Sequence, residues 1–293
     1  MKIALAQWRI EAPASFTEFA ARISAAVESA AGQGARIVVL PEYLALELAA
    51  TLDAATRADF AATLAALQPT HADWLRLFSA LAVKHGIHLL AGTFLLAQAN
   101  GRYRNRAYLF APDGAHAFQD KLTLTGFENA ARVIEPGDAL KVFDTPHGRI
   151  GIAICYDSEF PLYARAQREA GTRLLLVPSC TDTEAGATRV RVGCMARALE
   201  NRLYVAQSVT AGRAPDNPAL DTNTGRAALY VASDRGLPED GVVAAAQPGA
   251  TWLVAEVDFA ALEATADHAQ VAVAADWPRQ SRPSVVRATL EVL

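Results

Sequence analysis

The sequence has few cysteines and few histidines for its length. Its 293 residues include six histidines and three cysteines, Cys155, Cys180 and Cys194. Three scattered thiols do not make the paired framework of a disulfide-stabilised domain. Neither residue type shows the short paired spacings of a zinc site. We therefore expect no metal site, and each cysteine is either a small core residue or a reactive thiol.

Long apolar runs and an excess of positive charge are also absent. No uncharged stretch is long enough to span a bilayer, and the first apolar run is too short for a signal-peptide core. The 27 basic and 31 acidic residues give a formal charge of −4. This balance offers no basic surface for nucleic acid or an anionic membrane. We expect a cytoplasmic protein with neither partner. A phosphate-binding P-loop is missing as well, and we expect no cofactor.

The chain does contain alternating strand-like and helix-like segments. Ala35–Leu40 is a continuous apolar run typical of a strand buried on both faces, and Ser15–Ala31 has helical spacing. Further strands are predicted at Lys2–Trp8, Ile87–Ala97, Arg173–Val177, Tyr204–Thr210, Ala227–Ala232, Val242–Ala246 and Trp252–Val257, and over most of Arg102–Ile154. Further helices are predicted at Phe160–Ala170 and Ala187–Asn201, with one or two within Ala54–His85. This interleaving favours an α/β fold with sheets between helical layers.

No repeat or linker divides the chain, so we predict one domain over residues 1–293. Its C-terminal tail begins at about residue 259 and includes a candidate strand at Pro283–Leu293. The tail either packs on a partner subunit or completes the domain. The polar stretch Thr210–Thr224 is a candidate loop over a site.

A strand-to-helix turn is predicted around Cys155. Ile150–Ile154 has the pattern of a buried strand, and Pro161 suits the first turn of a helix. A thiol at such a turn points out of the sheet edge, and a helix N-terminus favours its thiolate. The backbone N–H of Tyr156 is a candidate oxyanion donor. Spacing alone leaves a buried core thiol as an equal alternative.

Three sequence blocks follow one another along the chain. They are VVLPE ending at Glu42, FQDKL containing Lys121, and GRIGIAICYDSEFP over Gly148–Pro161. Together they resemble the nitrilase superfamily of carbon–nitrogen hydrolases, whose glutamate, lysine and cysteine these blocks supply. Supporting segments match at Asn105–Gly114, Val177–Ser179 and Ala196–Val205. The resemblance extends from Lys2 to about Asp258, and it implies a four-layer α-β-β-α sandwich that forms a homodimer or a larger homo-oligomer.

The resemblance also implies roles for the residues. Cys155 would attack the substrate and form a thioester, and Glu42 would transfer the protons. Lys121 would stabilise the oxyanion, and a second glutamate downstream would orient it. Glu128 is the nearest match for that glutamate, and Glu135 is the alternative. Each acidic or basic residue taken singly reads as a surface charge; only the joint pattern favours catalysis.

The predicted activity is cofactor-free hydrolysis of a small-molecule amide, with a nitrile or carbamoyl substrate as the less favoured alternatives. Two other functions remain open: an acyltransferase using the same thioester, and a non-catalytic binding protein on the same scaffold. Cys180, after the predicted strand Arg173–Val177, is interpreted as a pocket wall.

Two departures from the family pattern concern substrate choice. Glu159 replaces an arginine common in the family, and Arg189 stands where His-Trp is common. We hypothesise that they face each other across the pocket mouth and that Glu159 repels carboxylate substrates. The alternative is that Glu159 complements its helix N-terminus and that Arg189 is an ordinary surface residue.

Overall fold

The computed structural model describes residues 1–292. The strands are β1 (Lys2–Arg9), β2 (Ile37–Leu40), β3 (His88–Ala97), β4 (Tyr103–Phe110), β5 (His116–Asp120), β6 (Val142–Phe143), β7 (Ile150–Ile152), β8 (Leu174–Ser179), β9 (Tyr204–Arg213), β10 (Thr222–Asn223), β11 (Ala228–Tyr230), β12 (Val242–Ala245) and β13 (Trp252–Glu256). The α-helices are α1 (Phe16–Gly32), α2 (Ala54–Ala58), α3 (Phe60–Leu67), α4 (His71–His85), α5 (Gly126–Ala131), α6 (Pro161–Glu169), α7 (Glu184–Asn201), α8 (Phe259–Ala264) and α9 (Val273–Asp276). Short 3₁₀ helices occupy Leu44–Thr51, Gln68–Thr70, Cys155–Glu159 and Trp277–Ser281. Within residues 1–292, none of the helices combines the length and apolar character needed to cross a membrane.

Strand β1 joins two halves of a nearly closed mixed sheet. Its first part, Ile3–Leu5, pairs in parallel with β2, and its last part, Gln7–Arg9, pairs in parallel with β9. The strand order is β5-β4-β3-β2-β1-β9-β8-β7-β6. Strand β13 runs antiparallel beside β1, and β11 and β12 extend the half that contains β9. One strand therefore connects the sheet carrying β2–β5 to the sheet carrying β6–β9.

Alternating side chains of β1 show how the layers stack. Ile3 and Leu5 pack with apolar residues of β7, β8 and β9, between the sheets. Ala4, Ala6 and Trp8 face the other way and pack with α1 and α4. Helices α6 and α7 cover the sheet carrying β7–β9. The fold is a four-layer α-β-β-α sandwich, and the expectation from the resemblance is confirmed.

Two predicted regions contain more helix than the sequence pattern indicated. Ala54–His85 forms three α-helices, because the side chains of Asp53 and Asp59 each cap a new helix start. Arg102–Ile154 contains α5 and long irregular stretches as well as four strands. Helix α5 has only six residues, too few to show a helical period.

The candidate strand at the C-terminus is not formed. Residues 283–292 contain no strand, and Leu293 lies outside the described residues. Val286 and Leu290 are 63% and 92% exposed, so the segment has no neighbouring strand or core to pack against within this chain. The pattern of apolar residues predicted a strand here, and that prediction is wrong for residues 283–292 of this chain.

Candidate active site

Three of the predicted catalytic residues, and the predicted wall residue Cys180, follow the carboxyl ends of strands that point the same way. Glu42 follows β2, Lys121 follows β5, Cys155 follows β7 and Cys180 follows β8. Parallel pairing joins β2, β1, β9, β8 and β7, and β5 reaches the same direction through two antiparallel pairings. Residues far apart in sequence therefore meet at one edge of the sandwich.

Cys155 opens a tight 3₁₀ turn rather than the helix itself. Its backbone has φ +48, a left-handed conformation that is unfavourable for a residue with a side chain. The Ser158 hydroxyl donates to the Cys155 carbonyl at 2.6 Å, and Arg197 of α7 donates to the Ser158 carbonyl at 2.9 Å. A Cβ on Gly193 would stand 3.0 Å from the same Ser158 oxygen. Close approach of α7 therefore holds the strained turn.

Burial opposes the thiolate that the sequence predicts at Cys155 from helix polarity. Pro161 does open α6, as predicted, but a separate turn of five residues lies between it and the strand. Burial raises the pKa of the Cys155 thiol well above its ordinary value, and the charge of Glu42 raises it further. Lys121 opposes this rise without cancelling it. These effects favour the neutral thiol, so Cys155 would have to lose its proton to act as the predicted nucleophile.

Glu42 is held by a glycine-dependent turn after β2. A Cβ on Gly92 of β3 would lie 2.2 Å from the Pro41 carbonyl oxygen, and Gly92 has φ +65. Next to Glu42, Tyr43 has φ 59 and donates its backbone N–H to Thr93 Oγ1 at 2.8 Å. Strand β3 therefore accepts the turn only because it has no side chain at this position.

Lys121 bridges two buried carboxylates. Its Nζ lies 2.8 Å from Glu42 Oε1 and 2.8 Å from Glu128 Oε2. All three side chains are at most 1% exposed. The structure thus places Glu128, the first of the two sequence candidates, beside the lysine. Glu135 instead pairs with Arg104 at 2.9 Å and accepts from Asn100 at 2.8 Å.

The buried charges shift one another's pKa values in opposite directions. Burial lowers the pKa of Lys121, but Glu42 and Glu128 outweigh burial and raise it well above the ordinary lysine value. Burial raises the pKa of Glu42, and Lys121 only partly opposes it. For Glu128, burial is outweighed by Lys121 and by hydrogen bonds, so its pKa is lowered. Lys121 is therefore a permanent cation, and Glu42 is the carboxylate with the greater proton affinity.

Asn105 and Tyr43, which the sequence did not assign to the site, complete this network. Asn105 donates through Nδ2 to Glu42 Oε1 at 2.9 Å and to Glu128 Oε1 at 3.2 Å. Tyr43 donates its hydroxyl to Glu128 Oε1 at 2.6 Å. The available signals were the position of Tyr43 directly after Glu42 and the place of Asn105 at the start of a matching segment.

Cys180 contacts both Glu42 and Cys155 through its backbone. Its N–H donates to Glu42 Oε2 at 3.0 Å, and its carbonyl accepts from Cys155 Sγ at 3.5 Å. Burial raises the pKa of the Cys180 thiol to about 12, and the nearby Glu42 charge adds to the rise. Cys194 is fully buried in α7, and burial raises its pKa to about 12 as well. Burial therefore favours the neutral form of both thiols.

A cavity of about 350 Å³ opens onto these groups. Its lining also includes Tyr156, Phe127 of α5 and the loop residues Pro218 and Asp221. The stretch predicted as the loop Thr210–Thr224 thus forms part of the wall, but β9 extends through Arg213 and β10 occupies Thr222–Asn223. Phe127 was not predicted from sequence; it packs edge-on against Phe60 with ring centroids 5.2 Å apart. The cavity is large enough for a small molecule and combines apolar walls with a polar floor.

Glu159 and Arg189 form a pair at the cavity lining. Arg189 Nε lies 3.6 Å from Glu159 Oε1, and the two side chains are 62% and 21% exposed, respectively. The juxtaposition hypothesised from the sequence is therefore present. The separation is long and the arginine is solvated, so the pair contributes little stability. Among residues 1–292, no cluster of side chains has the composition needed to bind a metal ion.

Comparison with known proteins identifies the family. The model of the carbon–nitrogen hydrolase family matches residues 2–267. The chain belongs to the carbon–nitrogen hydrolase family. This member is 33% identical over 254 residues to YhcX of Bacillus subtilis, a probable hydrolase, and 29% identical over 246 residues to the omega-amidase NIT2-A of Xenopus laevis. The first match covers 87% of the chain, which spans about half (49%) of YhcX; the second covers 80% of both chains.

Solved structures with the same fold also match this hydrolase-family chain. Nit3 of Saccharomyces cerevisiae, a nitrilase-superfamily member, superposes with a TM-score of 0.72 at 22% identity, covering 92% of this chain and 93% of Nit3. An amidase from Nesterenkonia sp. AN1, solved with acrylamide added to its active-site cysteine, gives 0.68 at 21% identity, covering 94% and 99%. At 21–22% sequence identity, the structural similarity establishes only that these proteins share the sandwich fold.

Proposed function

We propose that this protein hydrolyses the carbon–nitrogen bond of a small amide through a thioester on Cys155. The single observation that supports this most strongly is the meeting of three groups at one cavity. Glu42 accepts hydrogen bonds from the Lys121 ammonium and from the Cys180 backbone N–H. The Cys180 carbonyl in turn accepts from the Cys155 thiol, and all four residues line the cavity. A nucleophile, a proton acceptor and a fixed cation are the three components that attack on an unreactive amide requires.

Acylation follows from this arrangement. The Cys155 thiol transfers its proton to Glu42 as its sulfur bonds the amide carbon, and the carbonyl electrons move onto oxygen. The oxyanion is stabilised by Lys121 and by the Tyr156 backbone N–H. Glu42 then returns the proton to the nitrogen, the carbon–nitrogen bond breaks, and ammonia or an amine leaves. The product is a neutral thioester on Cys155.

Deacylation uses the same groups in reverse. A water molecule attacks the thioester carbon while Glu42 accepts one of its protons, and Lys121 again stabilises the oxyanion. The carbon–sulfur bond breaks, and Cys155 takes the proton back from Glu42 as the carboxylic acid leaves. The raised proton affinity of the buried Glu42 suits a group that alternates between acceptor and donor.

Glu159 is the residue we propose to act in substrate choice. It lines the cavity, and the exposed Arg189 neutralises it only weakly at 3.6 Å. A substrate carboxylate near this position would experience repulsion that a neutral amide does not. We therefore infer that neutral amides react faster than amides carrying a carboxylate. The names of the omega-amidase relatives favour an amide over a nitrile.

We also propose that residues 1–293 act as one domain that associates with a second copy through its tail. Val285, Val286 and Leu290 in the tail are at least 50% exposed, as are Leu162 of α6 and Val192 of α7. Apolar side chains exposed in this number favour burial against a partner. Light scattering after size exclusion tests this: a dimer or larger assembly is expected, and a monomer at micromolar concentration contradicts it.

Ammonia release from a panel of small amides and nitriles tests the reaction. We expect the wild-type protein to release ammonia from at least one neutral aliphatic amide such as butyramide. Cys155→Ala should release none, whereas Cys194→Ala, which removes a buried thiol outside the cavity, should retain activity. Equal activity in Cys155→Ala and wild type contradicts the proposal. Product appearing only when an amine acceptor is added would identify acyl transfer instead.

A further inference from the structure

Asp157 is a buried carboxyl group that the proposed reaction does not use. It lies two residues after Cys155 in the nucleophile turn and is 2% exposed. Among residues 1–292, no lysine or arginine nitrogen lies within 4.0 Å of its carboxylate. A buried carboxylate without an ion-pair partner is costly, so what it binds is informative.

Its hydrogen-bond partners are the two backbone amides that follow Lys121. Leu122 N donates to both Asp157 oxygens, at 3.1 Å to Oδ2 and 3.2 Å to Oδ1, and Thr123 N donates to Oδ1 at 2.8 Å. Lys121 itself is tied to neighbouring backbone, because its N–H donates to the Asn105 carbonyl at 2.9 Å. One end of the Lys121 segment is thus held by a strand of the sheet, and the other end is held by the nucleophile turn.

We propose that Asp157 is a positioning residue that sets the location of the Lys121 ammonium relative to the Cys155 sulfur. It does so by fixing the backbone of residues 122 and 123 to the turn that carries the nucleophile. The oxyanion forms between these two groups, so their separation determines how well the lysine stabilises it. This inference rests on the proposed function.

The chemistry of the side chain explains why a carboxylate stands here. Both carboxylate oxygens accept hydrogen bonds, whereas an asparagine would turn an NH₂ group toward one of two N–H donors. Burial raises the pKa of Asp157 to about 7, against the opposing effects of Lys121 and the two amides. Lys121 is the largest of the effects that oppose this rise.

The test compares Asp157→Asn with wild type in butyramide hydrolysis and in alkylation of Cys155 by iodoacetamide. Alkylation needs the thiolate but forms no oxyanion. We expect kcat to fall by roughly tenfold to a hundredfold, with KM and the alkylation rate each changing less than about threefold. The matched control is Glu47→Gln, another buried carboxylate that accepts a backbone amide but lies outside the cavity; its kcat should stay near wild type.

Several results would overturn the inference. An unchanged kcat would do so, and so would an equal fall in kcat and alkylation, which indicates a damaged nucleophile turn. Backbone hydrogen exchange of residues 121–124 gives a readout that needs no turnover. It should be faster in Asp157→Asn than in Glu47→Gln, and unchanged protection would contradict the inference. Failure of wild type to hydrolyse any amide would contradict the proposed function instead, and the exchange measurement would still test Asp157.

Discussion

Lys121 Nζ lies 2.8 Å from Glu42 Oε1, with both side chains 1% exposed. The proposed general base and the proposed oxyanion-stabilising cation are therefore in direct contact before any substrate binds. Glu128 contacts the same ammonium from the other side. Two carboxylates keep the lysine charged despite its burial, and the lysine limits how far burial raises the pKa of Glu42. Removing any member of this trio changes the charge state of the others.

Lys121→Met should lower kcat by roughly a hundredfold to a thousandfold, as expected for loss of an oxyanion contact. KM should change much less, because the contact tightens at the tetrahedral intermediate. The variant should also be destabilised by roughly 3–5 kcal/mol, since two buried carboxylates lose their cation. Steady-state kinetics and urea unfolding measure the two effects.

The matched control for this variant is Lys141→Met. Lys141 stacks on Phe118 at 3.5 Å and lies outside the cavity, so kcat should remain near wild type. A Lys121→Met protein with wild-type kcat would remove the lysine from the mechanism. A rise in KM with unchanged kcat would indicate that Lys121 contributes to substrate binding in the ground state instead.

Glu42→Gln should fail to form the thioester, because an amide side chain cannot accept the Cys155 proton. Intact mass measured within the first turnover should show unmodified protein. Glu47→Gln removes a buried carboxylate outside the cavity and should acylate at the wild-type rate. If Glu42→Gln acylates normally, another group takes the proton and the base assignment is wrong.

Glu159→Gln should raise kcat/KM for a carboxylate-bearing amide and leave a neutral amide nearly unchanged. Butyramide and succinamate form a matched pair, since a methyl group in one replaces a carboxylate in the other. The selective gain should shrink as salt is added, because screening weakens the repulsion. Kinetics of both substrates at low and high ionic strength measure it.

Glu169→Gln is the control for charge alone. Glu169 pairs with Arg165 on α6, is 59% exposed and lies outside the cavity. This substitution should leave kcat/KM unchanged for both butyramide and succinamate. An equal effect of Glu159→Gln on both substrates, or no effect, would contradict a role in specificity.

Asp157 should make stability and activity depend on pH in opposite directions. Its folded pKa of about 7 lies above the ordinary value of 3.8. Between these values the native state holds a proton that the unfolded chain has lost, so stability falls as pH rises through this window. Activity should rise over the upper part of the same window, because the ionised carboxylate accepts both amides after Lys121. The catalytic form is thus the less stable one.

Urea unfolding and kcat at pH 5 and pH 8 test this, with Asp157→Asn as the reference that cannot titrate there. The unfolding free energy of wild type minus that of the variant should decrease from pH 5 to pH 8. The ratio of wild-type kcat to variant kcat should increase. A difference that is flat with pH would contradict the assignment.

Much of the fold could be predicted because local patterns matched the final environment. Ala35–Leu40 reads as a strand buried on both faces, and β2 lies there between two sheet neighbours. By contrast, α5 is set by the Thr125–Glu128 capping box and by contacts of Glu128 with Lys121 and with Tyr43, which lies 85 positions away in the chain. Short elements fixed by tertiary contacts leave no periodic signal.

The site likewise contains some features that the sequence predicted and others that it did not. The three motif residues were found because their blocks stand in the family's order, and topology then brings three strand ends together. The resting state of Cys155 was not predictable, since it depends on burial and on Glu42, which is 113 positions earlier in the chain. Asn105 and Asp157 act through hydrogen bonds across the sheet edge, and spacing in one sequence does not encode such contacts.

The central claim is a covalent intermediate on Cys155, and mass spectrometry of protein quenched during amide turnover tests it most directly. We predict one added acyl group, located by peptide mapping to the peptide that contains Cys155 and absent from Cys155→Ala. Cys180, which also lines the cavity, should remain unmodified. An acyl adduct on Cys180 or Cys194, or turnover that continues in Cys155→Ala, would contradict the account.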